Sequence, residues 1–403
     1  MTRWFAVWMA SVSALGGCAG SHEAALATED LACAPPELRS AWWSEGGGPF
    51  YGGAGAIVVS PAGTHLLMED HFRSISVRLS DGAQSDGSRP TVELTDVAGV
   101  RFAAPRMVVD ADGRNDYAGM TDVWRIGTAA PIAEIPWIVP RDAGGYTQVV
   151  AHVSQSSDRA FLVERSIRFG EPDRGVWLRV IPLSAPREEV RIDLRTVLAG
   201  DAVTFESPFS ILVDEARDVV FVTVGRQVES PPSITRIALA TGAAFTVDLE
   251  IGETVPFVGL AHIGDPATQL LDASLSSDGS ELLVTTRDGR LRALDASTLL
   301  ESRALGVGVV VANEDTYLPS LRSPVAASSE DRYLALLDDA GHVTIVDAAT
   351  MAPLATLVSA APIGPHDTEH DGEARAMMVR FVAGGLIVVT DRGVERYRCP
   401  DGP

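Results

Sequence analysis

The chain has 403 residues, 46% hydrophobic and 21% charged, which excludes a disordered or collagen-like polymer and leaves ample chain for a large buried core. Its formal charge of −22, spread along the whole sequence, repels phosphate backbones and excludes nucleic acid as a partner. All 32 basic residues are arginine, so mechanisms that need a lysine nucleophile or base are excluded as well.

Met1–Thr2–Arg3 opens with one positive charge, Trp4 to Leu15 is apolar or small, and Gly16–Gly17–Cys18 follows. That order predicts a secretory signal over residues 1–17. The apolar stretch is shorter than the ~20 residues of a spanning helix. Leu15–Gly16–Gly17–Cys18 resembles the lipobox of bacterial lipoproteins. The resemblance implies cleavage after Gly17 and lipid attachment at Cys18. With Ala19 rather than Asp next, it also implies an outer-membrane destination in the cell envelope, periplasmic or surface-facing. Residues 18–37 are small, polar and Pro-containing, with no period, and read as a flexible tether.

The body, residues 38–399, repeats one pattern: an apolar residue, a polar turn, then a β-rich apolar run. The turns are Ser60–Pro61–Ala62–Gly63, Asp110–Ala111–Asp112–Gly113, Ser156–Ser157–Asp158–Arg159, Asp214–Glu215–Ala216–Arg217, Ser276–Ser277–Asp278–Gly279, Ser328–Ser329–Glu330–Asp331 and Ala383–Gly384–Gly385. Asp, Ser and Gly supply tight turns, and the β-branched runs after them read as buried strands. The fifth unit shows the remainder. Leu282–Thr286 is a strand, Arg287–Asp288–Gly289–Arg290 a hairpin, Leu291–Asp295 a second strand, and Ala296–Ser297–Thr298 a turn into an outer strand over 299–305. The sixth unit follows the same order to Met351–Leu357.

Strand, Ser-x-Asp-Gly turn, strand, Asp-Gly hairpin, strand and Asp-Ala-x-Thr turn resembles a blade of the YVTN and WD-repeat-like propellers, without the Trp-Asp dipeptide of true WD repeats. The resemblance covers most of residues 50–399 and is nearest in the fifth and sixth units. It implies an all-β, seven-bladed β-propeller of four-stranded antiparallel blades. It implies nothing about activity, because propellers host many functions.

The last unit ends at Val394–Tyr397 without an outer strand, and an open edge must be covered. The segment Leu38–Trp43, or the stretch through Phe50–Tyr51, is the expected donor, so an N-terminal strand closes the body. With Cys18 taken by lipid, Cys33 and Cys399 remain, one at each end of the body, and export permits them to pair as a disulfide. Residues 400–403 are a tail.

The sequence has no Gly-x-Ser-x-Gly, His-Glu-x-x-His, phosphate loop or Cys-x-x-Cys. No catalytic residue and no cofactor are assigned. Asp110 and Asp112 alternate as in a calcium loop, but Arg114 stands where a ligand belongs, and a repeat turn is the favoured reading. His366 and His370, four apart, are the leading metal candidates, although Pro365 and Gly372 favour a solvated loop over a zinc-binding helix face. Glu69–Asp70–His71 brings carboxylates beside an imidazole. Trp42–Trp43 and Phe50–Tyr51 favour packing of the closing strand over an aromatic binding surface. The expected function is a monomeric, lipid-anchored binding or scaffold protein with a protein or glycan partner. The rival is a lactonase-like hydrolase acting on a small molecule in the central channel. A channel of small and apolar side chains favours the scaffold, and convergent charged groups favour the hydrolase.

Overall fold

The computed structural model describes Cys33 and residues 37–41, 56–60, 63–69, 73–88, 99–109, 115–126, 128, 130–138, 145–168, 171–194, 209–224, 233–249, 270–276, 278–286, 290–306, 325–327, 332–337, 342–358, 376–382, 384–390 and 393–399. These residues are all-β, in seven antiparallel sheets, six of them four-stranded. Strand β1 (Glu37–Ala41) belongs to the last sheet. The first sheet is β2 (Ala56–Val59), β3 (His65–Glu69), β4 (Arg73–Arg78) and β5 (Gln84–Ser88). The second is β6 (Arg101–Val109), β7 (Asn115–Arg125) and β8 (Ala133–Pro136). The third is β9 (Gly145–Val153), β10 (Arg159–Arg168), β11 (Glu171–Pro182) and β12 (Val190–Asp193). The fourth is β13 (Phe209–Asp214), β14 (Val219–Val224), β15 (Ser233–Ala238) and β16 (Ala243–Asp248). The fifth is β17 (Leu270–Leu275), β18 (Glu281–Thr286), β19 (Arg290–Asp295) and β20 (Glu301–Gly306). The sixth is β21 (Val325–Ala327), β22 (Tyr333–Leu337), β23 (His342–Asp347) and β24 (Pro353–Val358). The seventh is β25 (Ala376–Val382), β26 (Gly385–Thr390) and β27 (Gly393–Arg398), completed by β1.

The second strands explain why the sequence reads as short unbroken apolar runs. Successive side chains of a strand point to opposite faces, so a sheet covered on both faces needs apolar residues at every position. On β10, Phe161 and Val163 pack with Val220 and Val222 of the fourth sheet, while Ala160 and Leu162 pack with Val123 and Ile135 of the second. On β14, Val219 and Phe221 pack the other way, against Ala273, Leu282 and Val284 of the fifth sheet. The fifth packs on the sixth through Leu283, Leu291, Leu334 and Leu336, and the sixth on the seventh through Leu337, Ile345, Leu386 and Tyr397. Strand β2 contacts β6. The seventh sheet then packs back on the first, with Met378, Ile387 and Val394 against Leu66, Val77 and Leu79. Each fully buried Leu, Val or Phe is worth roughly 1.5–3 kcal/mol of transfer free energy, so the core is a series of inter-sheet layers, not one central mass.

The N-terminal strand pairs antiparallel with β27 in the register Glu37↔Arg396 to Ala41↔Gly393. It begins one residue before the expected start of the body. Cys33 and Cys399 are joined by a disulfide across a sequence separation of 366, and Cys33 packs into the layer between the sixth and seventh sheets.

One unit is out of phase with the sequence reading. Where the third strand of a sheet ends, a backbone amide donates to the residue just ahead of the second strand, as in Leu79→Thr64, Leu183→Asp158, Leu239→Asp218, Ala296→Ser280 and Ala348→Arg332. In the second sheet the corresponding bond is Ile126→Val100. Strands β6 and β7 therefore hold the second and third positions. The segment 110–114 connects those two, so it is not the first turn of its unit.

Candidate functional site

In the first, third, fourth, fifth and sixth sheets the connections between first and second strands, and between third and fourth, leave from one end, and they include the short turns 154–158, 215–218, 276–280, 239–242 and 348–352. We call this the short-turn end. Its local chemistry is repeated. A buried Ser or Asp at the first turn turns its side-chain oxygen onto the amides that follow. Ser60 accepts from Thr64 and His65, Ser154 from Ser156 and Ser157, Asp214 from Arg217, and Ser276 from Glu281. At the second turn the Asp295 carboxylate accepts from the amides and hydroxyls of Ser297 and Thr298, and Asp347 accepts from both groups of Thr350. These bonds replace water at turn amides that lack a strand partner. They also hold Leu299 at φ 57° and Met351 at φ 59°, a left-handed backbone that these residues rarely adopt. Burial of both side chains secures the conformation.

The carboxylates respond accordingly. The Ser297 hydroxyl, with the Thr298 amide and hydroxyl, holds the Asp295 carboxyl down at about 2. The Ser280 hydroxyl and amide, with the Ser276 hydroxyl, hold Asp278 at about 2.

Neighbouring sheets are stitched together at this end, mostly by arginine. Arg101 of the second sheet donates to the carbonyls of Ser154 and Ser157, and its own backbone exchanges two hydrogen bonds with the Gln155 side chain. Arg159 of the third sheet reaches Asp218 at 2.8 Å. Arg217 and Arg236 of the fourth donate to the carbonyls of Asp278 and Ala296. Arg303 of the fifth donates to the carbonyls of Ala348 and Ala349. Arg396 of the seventh donates to the carbonyl of Leu79 in the first, at 3.0 Å. A guanidinium presents several donors in a fixed fork, which suits carbonyls exposed at the corner of a turn.

Two clusters along these seams carry titratable groups. Between the third and fourth sheets, the Ser157 hydroxyl donates to Glu215 at 2.5 Å, and Arg159 lies 3.7 Å from the same carboxylate. Burial pushes the Glu215 carboxyl up, but the hydroxyls of Ser154 and Ser157 and the charges of Arg159 and His152 outweigh it, and the net shift is downward. His152, on the first strand of the third sheet, stacks beside Phe161 at 6.1 Å between ring centroids. Burial holds its imidazole below the usual range against the pull of Glu215. The serine hydroxyl is committed to the Glu215 carboxylate and not to the imidazole. An activated serine needs the reverse arrangement, its hydroxyl on the imidazole.

Between the second and third sheets, Glu164 is fully buried. Its carboxylate takes Arg179 on one oxygen and the Ile138 amide, at 2.8 Å, on the other. Arg179 also donates to the Pro136 carbonyl and to Glu189, and Glu189 pairs with Arg191. Burial pushes the Glu164 carboxyl up, Arg179 and the Ile138 amide oppose it, and the net shift is upward. The contacts of Glu164 and Arg179 tie β10 and β11 to the end of β8, so this group braces the seam.

The sequence-predicted residues fall differently. Cys18 lies outside the described residues, as do Asp110, Asp112, His366 and His370. So do Asp70 and His71, beyond the end of β3 at Glu69, and the aromatic pairs Trp42–Trp43 and Phe50–Tyr51. Among the described residues no group of His, Cys, Asp and Glu is placed to hold a metal ion, and no helix is long and apolar enough to cross a membrane. The seam residues were not singled out from the sequence. One signal for them was present: Glu164 follows Phe161–Leu162–Val163 in a strand buried on both faces, where a charge requires a partner.

From the third sheet to the seventh the first strands touch in turn, β9 on β13, β13 on β17, β17 on β21 and β21 on β25. Among the described side chains of β9, β13, β17 and β25 most are apolar, including Val149, Ala151, Leu212, Val213, Leu275 and Phe381, and the ionisable ones are His152, Asp214 and Arg380. Asp214 is paired with Arg217 at 2.9 Å, and Arg380 donates to the Val379 carbonyl. The sequence matches no known family model and no curated protein.

Proposed function

We propose that the seven sheets close as a β-propeller, that a lipid on Cys18 holds it in the cell envelope, and that it serves as a binding or scaffold protein for a protein or glycan partner. The observation that carries the binding reading is the first strands: among their described side chains most are apolar, Asp214 is paired with Arg217 at the neighbouring turn, and Arg380 donates to the Val379 carbonyl. The closure reading is supported by packing in chain order, by the return of the seventh sheet onto the first, and by the N-terminal strand that completes the seventh. The anchor reading rests on the lipobox, and the disulfide fits an oxidising compartment.

The connections opposite the short-turn end supply the surface. The sheet-to-sheet segments 194–208, 249–269, 307–324 and 359–375 are much longer than any turn at the other end. Long connections in a compact domain usually carry function, because a rigid scaffold positions them.

The test uses the full chain with a photo-crosslinker at Val358, an exposed position at the connection end. In intact cells it should form one saturable adduct with an envelope protein or glycan. Cys18→Ser should move the protein out of the membrane fraction. Turnover of a lactone panel by the purified protein would overturn the binding reading. Retention of Cys18→Ser in the membrane would overturn the anchor.

A further inference from the structure

The chain enters the body at a defined place. Strand β27 runs towards the short-turn end, because Arg398 pairs with Gly385 beside the short turn at Gly384. Cys399 follows at that end, and the disulfide fixes Cys33 to it, with Cα atoms 4.1 Å apart. Strand β1 is the outermost of its sheet and runs from Glu37, opposite Arg396, to Ala41, opposite Gly393. The tether therefore meets the body at the outer rim of the short-turn end, in the layer between the sixth and seventh sheets.

The tether is short. Cys18 precedes Cys33 by fifteen residues, which reach at most ~50 Å when fully extended and ~20 Å on average as a flexible coil. A strand such as β24 is itself ~20 Å long. The average tether is thus no longer than the body is deep, and it favours the end from which it starts.

Charge adds an independent bias in the same direction. The short-turn end carries Arg78, Arg101, Arg159, Arg217, Arg332 and Arg398 beside the carboxylates of Asp81, Asp158, Asp214, Glu215, Asp218, Asp278, Asp295 and Asp347, which leaves it near balance. The connections at the opposite end are acidic in sequence. Segment 359–375 has Asp367, Glu369, Asp371 and Glu373 against Arg375. Segment 249–269 has Glu250, Glu253 and Asp265 and no arginine, and Asp338–Asp339 links β22 to β23. An anionic lipid surface repels that end more strongly.

We propose that the body stands on the membrane by its short-turn end and presents the connection end to the aqueous space, so that its partner approaches from the water and not from the lipid surface. This orientation rests on the lipid anchor at Cys18 proposed above. The disulfide sets it, because the bond fixes where the tether leaves the body.

The test compares two positions at opposite ends of one sheet: Ala349→Cys, in an exposed short turn, and Val358→Cys, at the far end of β24. Each is made in the lipidated full chain with the native disulfide intact, labelled with a donor dye, and reconstituted into phosphatidylethanolamine–phosphatidylglycerol vesicles carrying a headgroup acceptor. Energy transfer should be greater for position 349 than for 358 by at least about twofold, given the ~20 Å that separates them along the strand. In the Cys33→Ser/Cys399→Ser background the difference should shrink. Equal or reversed transfer in protein that floats with the vesicles overturns the orientation alone. Failure to float overturns the anchor at Cys18, and the orientation with it.

Discussion

Replacing both Cys33 and Cys399 by serine removes a single covalent bond but opens the longest loop in the molecule. The bond spans a sequence separation of 366. In the chain-entropy model, closing a loop of that length lowers the entropy of the unfolded chain by an amount worth ~6 kcal/mol at 25 °C, against the 2–4 kcal/mol typical of shorter loops. Part of that figure is lost if the unfolded chain stays compact, so a loss of about 3–6 kcal/mol is expected. The effect has a local component as well. Strand β1 pairs only with β27, and four residue pairs hold it there. Without the bond, the strand keeps its hydrogen bonds but loses the covalent stop at its N-terminal end, and it frays from Glu37 inwards. Two measurements separate these parts. Urea unfolding of the oxidised and double-serine proteins reads the global loss. Native-state hydrogen exchange reads the amides of β1 and β27, which should open faster than those of β25 and β26 in the same sheet. An unchanged urea midpoint, with unchanged protection in β1, would refute the reasoning that the disulfide secures the closing strand.

Arg179→Met strands the buried carboxylate of Glu164, and it should cost about 3–5 kcal/mol in urea unfolding, while adding Glu164→Gln should restore part of that loss. The Glu164 carboxyl is raised in the fold, so the folded state holds its proton more tightly. Its contribution is therefore favourable at low pH and is lost as pH rises from the ordinary glutamate range (about 4) through the raised value, a slope that Arg179→Met should steepen. Gly279→Ala places a Cβ onto Arg217 Nη1 and 2.9 Å from Asp214 Oδ2, at φ +66°; a loss of about 1–3 kcal/mol is expected from the backbone alone, together with weakening of the bond from Arg217 to the Asp278 carbonyl. Asp278 and Asp295 should titrate at about 2 in carbon-detected NMR. Their contribution is present above the unfolded value of about 3.9 and disappears as pH falls towards 2, and Asp278→Asn should remove its share of that slope.

Much of the fold was legible because its signals are local. Ser276–Ser277–Asp278–Gly279 and Asp295–Ala296–Ser297–Thr298 carry their own hydrogen-bond partners, so the turn chemistry marks the strand ends on either side. The last unit lacks an outer strand, and Cys33 and Cys399 lie at the two ends of the body; both features pointed to the N-terminal strand, because an open edge needs a partner. The phase of the second unit was not legible. Asp110–Ala111–Asp112–Gly113 would serve equally at either end of a hairpin, and only the long-range bond from Ile126 to Val100 shows which end it occupies. The seam arginines were hidden for a related reason. Arg101 and Ser154 are far apart in sequence, and a guanidinium that donates to a backbone carbonyl leaves no trace in the identity of the residue that accepts.

The two kinds of contact between sheets divide the work of fixing how neighbouring sheets pack. Apolar layers such as Phe161 with Val220, or Phe221 with Leu282, supply most of the free energy, but they are nearly indifferent to a small slide of one sheet along the next. Hydrogen bonds from Arg101, Arg217, Arg303 and Arg396 to backbone carbonyls are not indifferent, because their strength falls steeply with misalignment. Each bond is worth only about 1–3 kcal/mol, yet together they fix the register of neighbouring sheets at the short-turn end. A lysine would supply one point charge on a flexible stem in place of a planar fork, so Arg217→Lys should loosen register more than it lowers stability.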